Sequence, residues 1–313
     1  MRMDKPEISV IIPVHNSQEH LQECLDSLQQ QSFTDFEVLV INNGSTDNSY
    51  DIAKQFSDQD DRFVVINHNH GRQGEARNVG LNHANGKYIS FVDSDDTVLE
   101  HYLARLHTAI TRHDADVAVC GYCLYYRKSD KVIQTHKVKN SVYNRTDAMK
   151  ELLRDRKMRF YLWNKLWKSS LFKDHHIDIP DMFYEDAVAC SMLFCHVDKV
   201  VMTDYCGYSY IRASNKIFTE IEMDKTRIND YINTVPMIRD YLEAKGLYQT
   251  VKTPFLRHIC HVFLTVPILS AQAGSNLERG LLKNSVAGMG KVLRACKAHP
   301  DELNSITREP GVI

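Results

Sequence analysis

The sequence has no apolar run long enough to cross a bilayer and carries almost no net charge. Its longest apolar patch near the C-terminus, Ile259 to Leu269, is well short of the roughly 18 to 20 residues that a transmembrane helix needs. The formal net charge of -2 gives no overall attraction to nucleic acid or to an acidic membrane. We therefore expect that the protein binds no nucleic acid. Residues Met1 to Glu7 lack the apolar stretch of a secretory signal, so we also expect a cytoplasmic location.

The cysteines do not form the pattern of a disulfide framework. Eight cysteines are scattered at positions that resemble core, which favours a reducing compartment. Cys120 and Cys123 have the CxxC spacing of redox and half-zinc motifs. They lie in a strand-like segment, whereas a reactive CxxC opens a helix, and no second pair completes a tetrahedral zinc site. We therefore interpret the two residues as core thiols.

Strand-like and helix-like segments alternate through the first hundred residues. With 313 residues, 43% of them apolar and 25% charged, the chain is typical of globular proteins with a sizeable core. The order βαβαβαβ predicts an α/β fold with a mostly parallel central sheet covered by helices on both faces. The predicted strands are Ile8–Val14, Phe36–Ile41, Phe63–Asn67 and Tyr88–Val92.

Helical patterns dominate the later part of the chain. A further strand near 117–126 is followed by the polar stretch Arg127 to Asn140, which we interpret as a hairpin or surface excursion. We expect an α/β domain over residues 1–215 and a helical C-terminal region over residues 216–313. The helices predicted from apolar spacing are Asp147–Arg154, Glu185–His196, Glu222–Ala244, Thr250–Leu269 and Leu277–His299.

Polar residues follow three of the predicted strands, where open parallel sheets bind their ligands. The first strand runs into Pro13-Val-His-Asn16, the second into Asn42-Asn-Gly-Ser-Thr-Asp47, and the fourth into Asp93-Ser-Asp-Asp96. No glycine-rich turn follows the first strand, and the sequence has no Walker lysine loop. These absences disfavour a dinucleotide-binding oxidoreductase and a P-loop protein.

The acidic cluster after the fourth strand has the composition of a metal site. Asp93 and Asp95 leave the same face of an extended strand end. Three carboxylates within four residues repel one another unless a cation or solvent relieves them, and Mg²⁺ or Mn²⁺ prefers carboxylate and phosphate oxygens. The cluster suggests a site for a metal diphosphate. The alternative is a solvated acidic turn before the helix that begins near Thr97.

Taken together, the motifs resemble inverting family 2 glycosyltransferases, most closely over Gly71 to Asp96. In that family one strand ends in Pro-x-x-Asn, matched by Pro13 to Asn16, and a second ends in Asp-Asp-Gly-Ser-x-Asp, partly matched by Asn42 to Asp47. A later Glu-Asp pair is matched by Glu185-Asp186, and Tyr-x-Tyr-x-Arg by Tyr208 to Arg212. This resemblance, over about residues 8 to 215, implies the GT-A fold.

The resemblance also implies a reaction and a set of site residues. The expected reaction is metal-dependent transfer of a sugar, with inversion, from a nucleotide-diphospho-sugar, expected to be a UDP-sugar, to a hydroxyl of a glycan or lipid-linked glycan. Asp186 would be the catalytic base, and Asp95 would bind Mn²⁺ or Mg²⁺. His15 and Asn43 would border the nucleobase, and Asp93 would contact the ribose. Arg77 would lie beside the nucleotide. The residues expected to bind the nucleotide-sugar are Pro13, His15, Asn16, Asn43, Asp47, Arg77, Asp93 and Arg212.

Asn42 and Asn43 depart from the family pattern, which usually has two aspartates there. An amide both accepts from and donates to a base edge, so pairing with uracil is retained. The departure leaves open a catalytically inactive nucleotide-sugar or glycan-binding protein of the same fold, although Asp93, Asp95 and Asp186 are intact. A sugar nucleotidyltransferase would carry a glycine-rich loop with a basic residue after its first strand, which is absent.

Other parts of the sequence can each be interpreted in two ways. The pair Glu185-Asp186 also suits an ordinary helix start, and Trp163-Asn-Lys-Leu-Trp167 resembles the family's segment before the base but also suits core. Lys216, together with Arg212, would add positive charge near the leaving diphosphate or lie on the surface as an ordinary cation. The patch Ile259–Leu269 suits a core helix or a peripheral contact with the inner membrane face.

Overall fold

A computed structural model of the chain describes residues 5–69, 71–127, 131–212 and 225–272. The strands in these ranges are β1 Ile8–Val14, β2 Phe36–Asn43, β3 Phe63–His68, β4 Tyr88–Phe91, β5 Thr97–Val98, β6 Val117–Tyr126, β7 Lys131–His136, β8 Ser141–Asn144, β9 Lys165–Lys168 and β10 Lys199–Arg212. The helices are α1 Leu21–Gln29, α2 Ser49–Gln59, α3 Gln73–His83, α4 Tyr102–His113, α5 Arg145–Arg154, α6 Ser170–Lys173, α7 Glu185–Phe194, α8 Lys225–Ala244 and α9 Tyr248–Gln272.

The four predicted strands form the first half of the central sheet. All of β1 is buried, as is β2 up to its last residue, because helices cover a parallel sheet on both faces and favour continuous apolar runs. The parallel partners of Ile8 are Phe36 on β2 and Tyr88 on β4. The prediction of an α/β fold with a mostly parallel sheet is confirmed.

The rest of the sheet mixes parallel and antiparallel pairs. Its order is β3-β2-β1-β4-β9-β6-β10-β5, with β7 on β6 and β8 on β10. The β6–β10 pair is parallel, whereas β9 is antiparallel to both β4 and β6. The predicted hairpin after β6 is present as β7, which pairs antiparallel with β6.

The two tryptophans and the CxxC pair lie in or beside these strands. Trp163 and Trp167 are 3% and 0% exposed, which agrees with the core interpretation of their segment. Trp163 stacks between the rings of Tyr161 and Tyr208, at 4.3 and 4.4 Å between centroids. The described cysteines are all free, and burial raises the pKa of Cys120 to about 12. Cys123 is only half-buried.

The chain divides into two compact units. The first comprises Met1–Arg145 and Tyr161–Asn215, and the second Thr146–Phe160 and Lys216–Ile313. A helical region that starts at residue 216 stays our prediction.

In the second unit, α8 and α9 overlap the predicted helices Glu222–Ala244 and Thr250–Leu269. The predicted helix Leu277–His299 and Lys216 lie outside the described residues. Within the described part of α9, Ile259 and Val262 are fully buried, as expected of a core helix. Among the described residues, no helix has the length and apolar character needed to span a bilayer.

The parallel topology sets the position of the site. The carboxyl ends of β1, β2 and β4 meet at one edge of the sheet, and there the chain continues into His15, Gly44 and Asp93. Helix α3 lies against β1 and β2, with Gly74, Arg77 and Gly80 buried along one face. This face brings an arginine to the interior at the same edge.

We predict that Gly80→Ala destabilises the protein by about 1–3 kcal/mol, the usual cost of overfilling a packed core. A Cβ at residue 80 would overlap Cγ2 of Ile11 in buried β1. Urea denaturation followed by circular dichroism measures the loss. Asn82→Ala, at an exposed position of the same helix, is the control and should not lower stability. Equal stability of the two variants would contradict this close packing.

Candidate active site

A cavity of about 530 Å³ opens at the carboxyl ends of β1 and β2. Pro13, His15 and Asn43 line it, as do Gly71 and Gln73 at the start of α3. The structure therefore brings together three of the residues that the sequence predicts to bind the nucleotide. In the described part of the chain, the lining also includes Ser94 from the acidic segment after β4.

Asn16 and Asp47 hold together the loops behind this cavity. Asn16 has a left-handed φ of 51°, a region in which asparagine is enriched, and its Oδ1 accepts a hydrogen bond from the Thr46 amide at 2.8 Å. Asp47 accepts hydrogen bonds from the amides of Gln18 and Ser49, both at 3.0 Å. Burial acts to raise the pKa of Asp47, but these hydrogen bonds lower it. The two residues, which were predicted to bind the nucleotide-sugar, stabilise the loops that form the pocket.

The two asparagines that depart from the family pattern have different surroundings. Asn42 is buried and donates from Nδ2 to Oδ1 of Asn67 at 2.9 Å, a bond that an ionised aspartate lacks the N–H to make. Asn43 donates from Nδ2 to the Gly71 backbone carbonyl at 3.0 Å. The backbone carbonyl of Asn43 accepts a hydrogen bond from Nδ1 of His15 at 2.8 Å. Oδ1 of Asn43 is buried and has no hydrogen-bond partner among the described residues.

The centre of the site is Arg77, whose side chain is 1% exposed. Its Nη2 lies 2.9 Å from Oδ1 of Asp93, and its Nη1 lies 2.5 Å from Oε1 of Glu185 and 3.0 Å from Oδ1 of Asp186. We call Arg77 and these three carboxylates the Arg77 cluster. A position of Arg77 beside the nucleotide stays a prediction. In the structure its guanidinium is buried and joins Asp93 to Asp186.

Charge and burial oppose each other within the Arg77 cluster. Burial and the neighbouring charge of Asp186 raise the pKa of Glu185 to about 7, although Arg77 acts to lower it. Burial likewise raises the pKa of Asp93 to about 6 against the opposite effect of Arg77. Burial disfavours the charged form of Arg77 itself, but Asp186, Asp93 and Glu185 together raise its pKa. The single positive charge of Arg77 thus interacts with three carboxyl groups.

Asp186, the predicted base, sits in the first turn of α7 with a side chain that is 19% exposed. Arg77 binds its Oδ1, and the backbone amide of Leu162 donates to its Oδ2 at 3.2 Å. Each oxygen of a carboxylate has two lone pairs, so Oδ2 can accept a second proton donor. The carboxylate is therefore fixed in orientation and able to accept a proton.

The acidic residues after β4 separate into different environments. Asp95 is exposed as a residue, but the protein around its carboxylate raises the pKa of this group, against the opposite effect of a hydrogen bond from its own backbone amide. Its backbone carbonyl accepts a hydrogen bond from Arg127 at 3.3 Å. Asp96 is buried and accepts from the Tyr208 hydroxyl and the Ile211 amide, both at 2.8 Å. Burial raises the pKa of Asp96 well above its usual value. Asp96 therefore ties the acidic segment to β10.

Asp95 fits a Mn²⁺ or Mg²⁺ site of the kind that relies on the substrate. Such ions are commonly held by one or two carboxylates, substrate phosphates and water. In residues 5–69, 71–127, 131–212 and 225–272, no group of three or more acidic, histidine or cysteine side chains forms a closed metal cage. An exposed carboxylate next to Ser94 of the cavity wall suits the open type.

The sequence pattern missed some residues of the candidate site, and the structure does not bring all of the predicted ones to the cavity. Arg212 lies over the Tyr210 ring at 5.4 Å and is not among the residues that line the cavity. Glu185 and Asp96 were noted only as parts of acidic motifs. The burial of Arg77 was not predicted. The signal for it is the helical spacing of Arg77 with Gly74 and Gly80, which puts all three residues on one face.

The fold and the site define a GT-A glycosyltransferase, and comparison with known proteins identifies the family. Residues 9–177 match the model of glycosyl transferase family 2. The chain therefore belongs to this family, whose members are inverting glycosyltransferases. It is 33% identical over 225 residues to the glycosyltransferase GlyA of Streptococcus pneumoniae, covering 68% of this chain and 32% of GlyA. The chain thus spans about a third of that relative's length.

Two solved structures share the fold. TarS of Staphylococcus aureus, a poly(ribitol-phosphate) β-N-acetylglucosaminyltransferase, is 28% identical over 209 residues, which are 65% of this chain and 35% of TarS. The structure of TarS residues 1–349 with UDP-GlcNAc aligns with a TM-score of 0.61 at 20% identity, over 93% of this chain and 90% of that one. The mannosyltransferase PcManGT of Pyrobaculum calidifontis, bound to GDP-Man and Mn²⁺, aligns with a TM-score of 0.55 at 15% identity, over 97% of this chain and 84% of that one.

We predict that Arg77→Met lowers the free energy of unfolding by about 3–5 kcal/mol at pH 8, the usual cost of leaving buried charges uncompensated. The loss should shrink at pH 5.5. The folded-state pKa of Glu185, about 7, lies above its unfolded value, so its ionisation removes stability as pH rises through 7 and its protonation relieves the cluster below that.

Urea denaturation at the two pH values measures this dependence. Lys54→Met, which breaks an exposed ion pair with Asp58 on α2, is the control and should cost less than about 1 kcal/mol at either pH. A loss from Arg77→Met that is the same at both pH values would contradict the electrostatic origin of the effect.

Proposed function

We propose that this protein transfers a sugar from a UDP-sugar to a hydroxyl of a bacterial surface glycan, in a metal-dependent single displacement with inversion. The observation that carries the proposal is the Arg77 cluster, in which one guanidinium joins Asp93, on the donor side, to Asp186, the base. The cavity lined by His15 and Asn43 would receive the nucleotide.

Asn43 supports a nucleobase that carries a ring N–H. A buried acceptor without a partner costs about 1–3 kcal/mol, and the N3–H of uracil would satisfy Oδ1 of Asn43. Cytosine has an acceptor at the equivalent ring nitrogen and would repel it. Guanine also has a ring N–H, so the choice of uridine is further supported by the UDP-GlcNAc that TarS, a protein of this fold, binds.

Asp95 would hold Mn²⁺ or Mg²⁺ together with the diphosphate of the donor. Its exposure supports this role, and PcManGT, of the same fold, binds Mn²⁺ with its donor. A bound divalent cation stabilises negative charge on a leaving diphosphate.

Asp186 would take the proton of the attacking hydroxyl. Displacement with inversion at the anomeric carbon needs a base on the face opposite the leaving group. The Leu162 amide and Arg77 fix the carboxylate, so its free lone pair has a defined direction. Asp93 would bind the ribose hydroxyls through the oxygen that Arg77 does not occupy.

The relatives support a class of acceptor. TarS acts on poly(ribitol-phosphate), and we propose a hydroxyl-bearing surface polysaccharide or its lipid-linked precursor as the acceptor class for this chain. A cytoplasmic location with peripheral contact at the inner membrane face would suit such an acceptor.

We predict that Asp186→Asn reduces turnover of a UDP-sugar by about 100-fold or more, the usual contribution of a general base, while UDP binding is retained. Asp95→Ala should instead remove the metal-dependent part of UDP binding. A thermal-shift assay with UDP, with and without Mn²⁺, and release of UDP in the presence of acceptor measure the two effects. Turnover that survives both substitutions would sink the proposed roles.

We predict that the wild type binds UDP at least about 10-fold more tightly than CDP, because an unpaired buried polar group costs 1–3 kcal/mol. Asn43→Leu should weaken UDP binding and remove the difference. Isothermal titration with UDP, CDP and GDP measures it, with the exposed Asn82→Leu as the control. Tighter binding of CDP or GDP than of UDP would overturn the uridine assignment.

A further inference from the structure

Glu185 competes with the base for the same nitrogen atom. Nη1 of Arg77 donates to Oε1 of Glu185 at 2.5 Å and to Oδ1 of Asp186 at 3.0 Å. The shorter bond goes to Glu185, whose side chain is 11% exposed, against 19% for Asp186 and 20% for Asp93. Glu185 is thus the most buried of the three carboxylates that Arg77 binds.

The charges around Glu185 come from three elements. Arg77 approaches from α3, and Asp186 is its neighbour on α7. Asp93, after β4, binds the other terminal nitrogen of the same guanidinium. Nε of Arg77 has no hydrogen-bond partner in the described residues, so the terminal nitrogens carry all of its contacts to carboxylates.

We propose that Glu185 is a positioning residue for the transfer reaction: by binding Arg77 it weakens the attraction of the guanidinium for Asp186 and keeps Asp186 a strong enough base. This inference rests on the proposed function. A carboxylate that a guanidinium holds closely is a weaker proton acceptor, because the ion pair stabilises its charged form. A second carboxylate on the same nitrogen shares that attraction and adds a like charge beside the base.

The ionisation of Glu185 sets the pH range in which it competes with Asp186 for Arg77. Burial raises the pKa of Glu185 to about 7, so the side chain becomes ionised across neutral pH. Below that range Glu185 is neutral, and Arg77 acts on Asp186 with less competition. The wild-type kcat should therefore rise between pH 6 and pH 8.5, and a variant without the charge should lack that rise.

The test compares kcat and KM for a UDP-sugar from pH 6 to pH 8.5 in the wild type, Glu185→Gln and Glu185→Asp. We expect Glu185→Gln to have a kcat about 10-fold lower at pH 8.5, a smaller loss than removal of a general base causes, and near that of the wild type at pH 6. KM for the donor should be unchanged. Glu185→Asp should recover part of the rise. Asp198→Asn, which breaks an exposed pair with Arg145, is the control.

The outcomes separate this inference from the function on which it rests. Wild-type turnover of a UDP-sugar supports the function whatever Glu185 does, and its absence would contradict both. A Glu185→Gln enzyme that retains the wild-type rise would overturn the positioning role, as would a variant changed only in KM. If thermal melting shows that Glu185→Gln does not fold, the profile of Glu185→Asp decides: a normal rise and plateau would count against the inference.

Discussion

One buried guanidinium shared by three carboxylates is the interaction on which the site depends. Arg77 lies on the inner face of α3, Asp93 follows β4, and Glu185 and Asp186 open α7. These segments are far apart in sequence, and the arginine is their common partner. Because hydrogen-bonded ion pairs depend strongly on geometry, the cluster fixes Asp93 and Asp186, the proposed ribose contact and the proposed base, relative to each other.

The same interaction is costly for the fold. Three acids around a single cation leave excess negative charge inside the protein, and burial raises the pKa of both Glu185 and Asp93. A buried ionic network of this kind stabilises a protein less than apolar packing of the same volume would. The Arg77 cluster lies at the edge of the sheet where β1, β2 and β4 end. Such a network fits a catalytic site, because active sites concentrate acids with perturbed pKa values.

Local patterns predicted the first half of the fold, because β1 to β4 are nearly continuous apolar runs and their ends carry the motifs. Pattern alone did not reveal the antiparallel insertion of β9 between β4 and β6, since that pairing joins distant segments. For the same reason, the bond from Tyr208 to Asp96 and the burial of Arg77 among acids were not predicted. The motifs indicated most residues of the candidate site, whereas the contacts between them required the tertiary structure.

The most direct test of this account is a double-mutant cycle between Asp93 and Asp186. The free energy of unfolding is measured for the wild type, Asp93→Asn, Asp186→Asn and the double variant, and again in an Arg77→Met background. If one guanidinium couples the two acids, the single effects will differ from additivity by about 1 kcal/mol or more, and the coupling will change by a similar amount without Arg77, which leaves only the direct repulsion between the two carboxylates. Additive effects within about 0.5 kcal/mol in both backgrounds would contradict it.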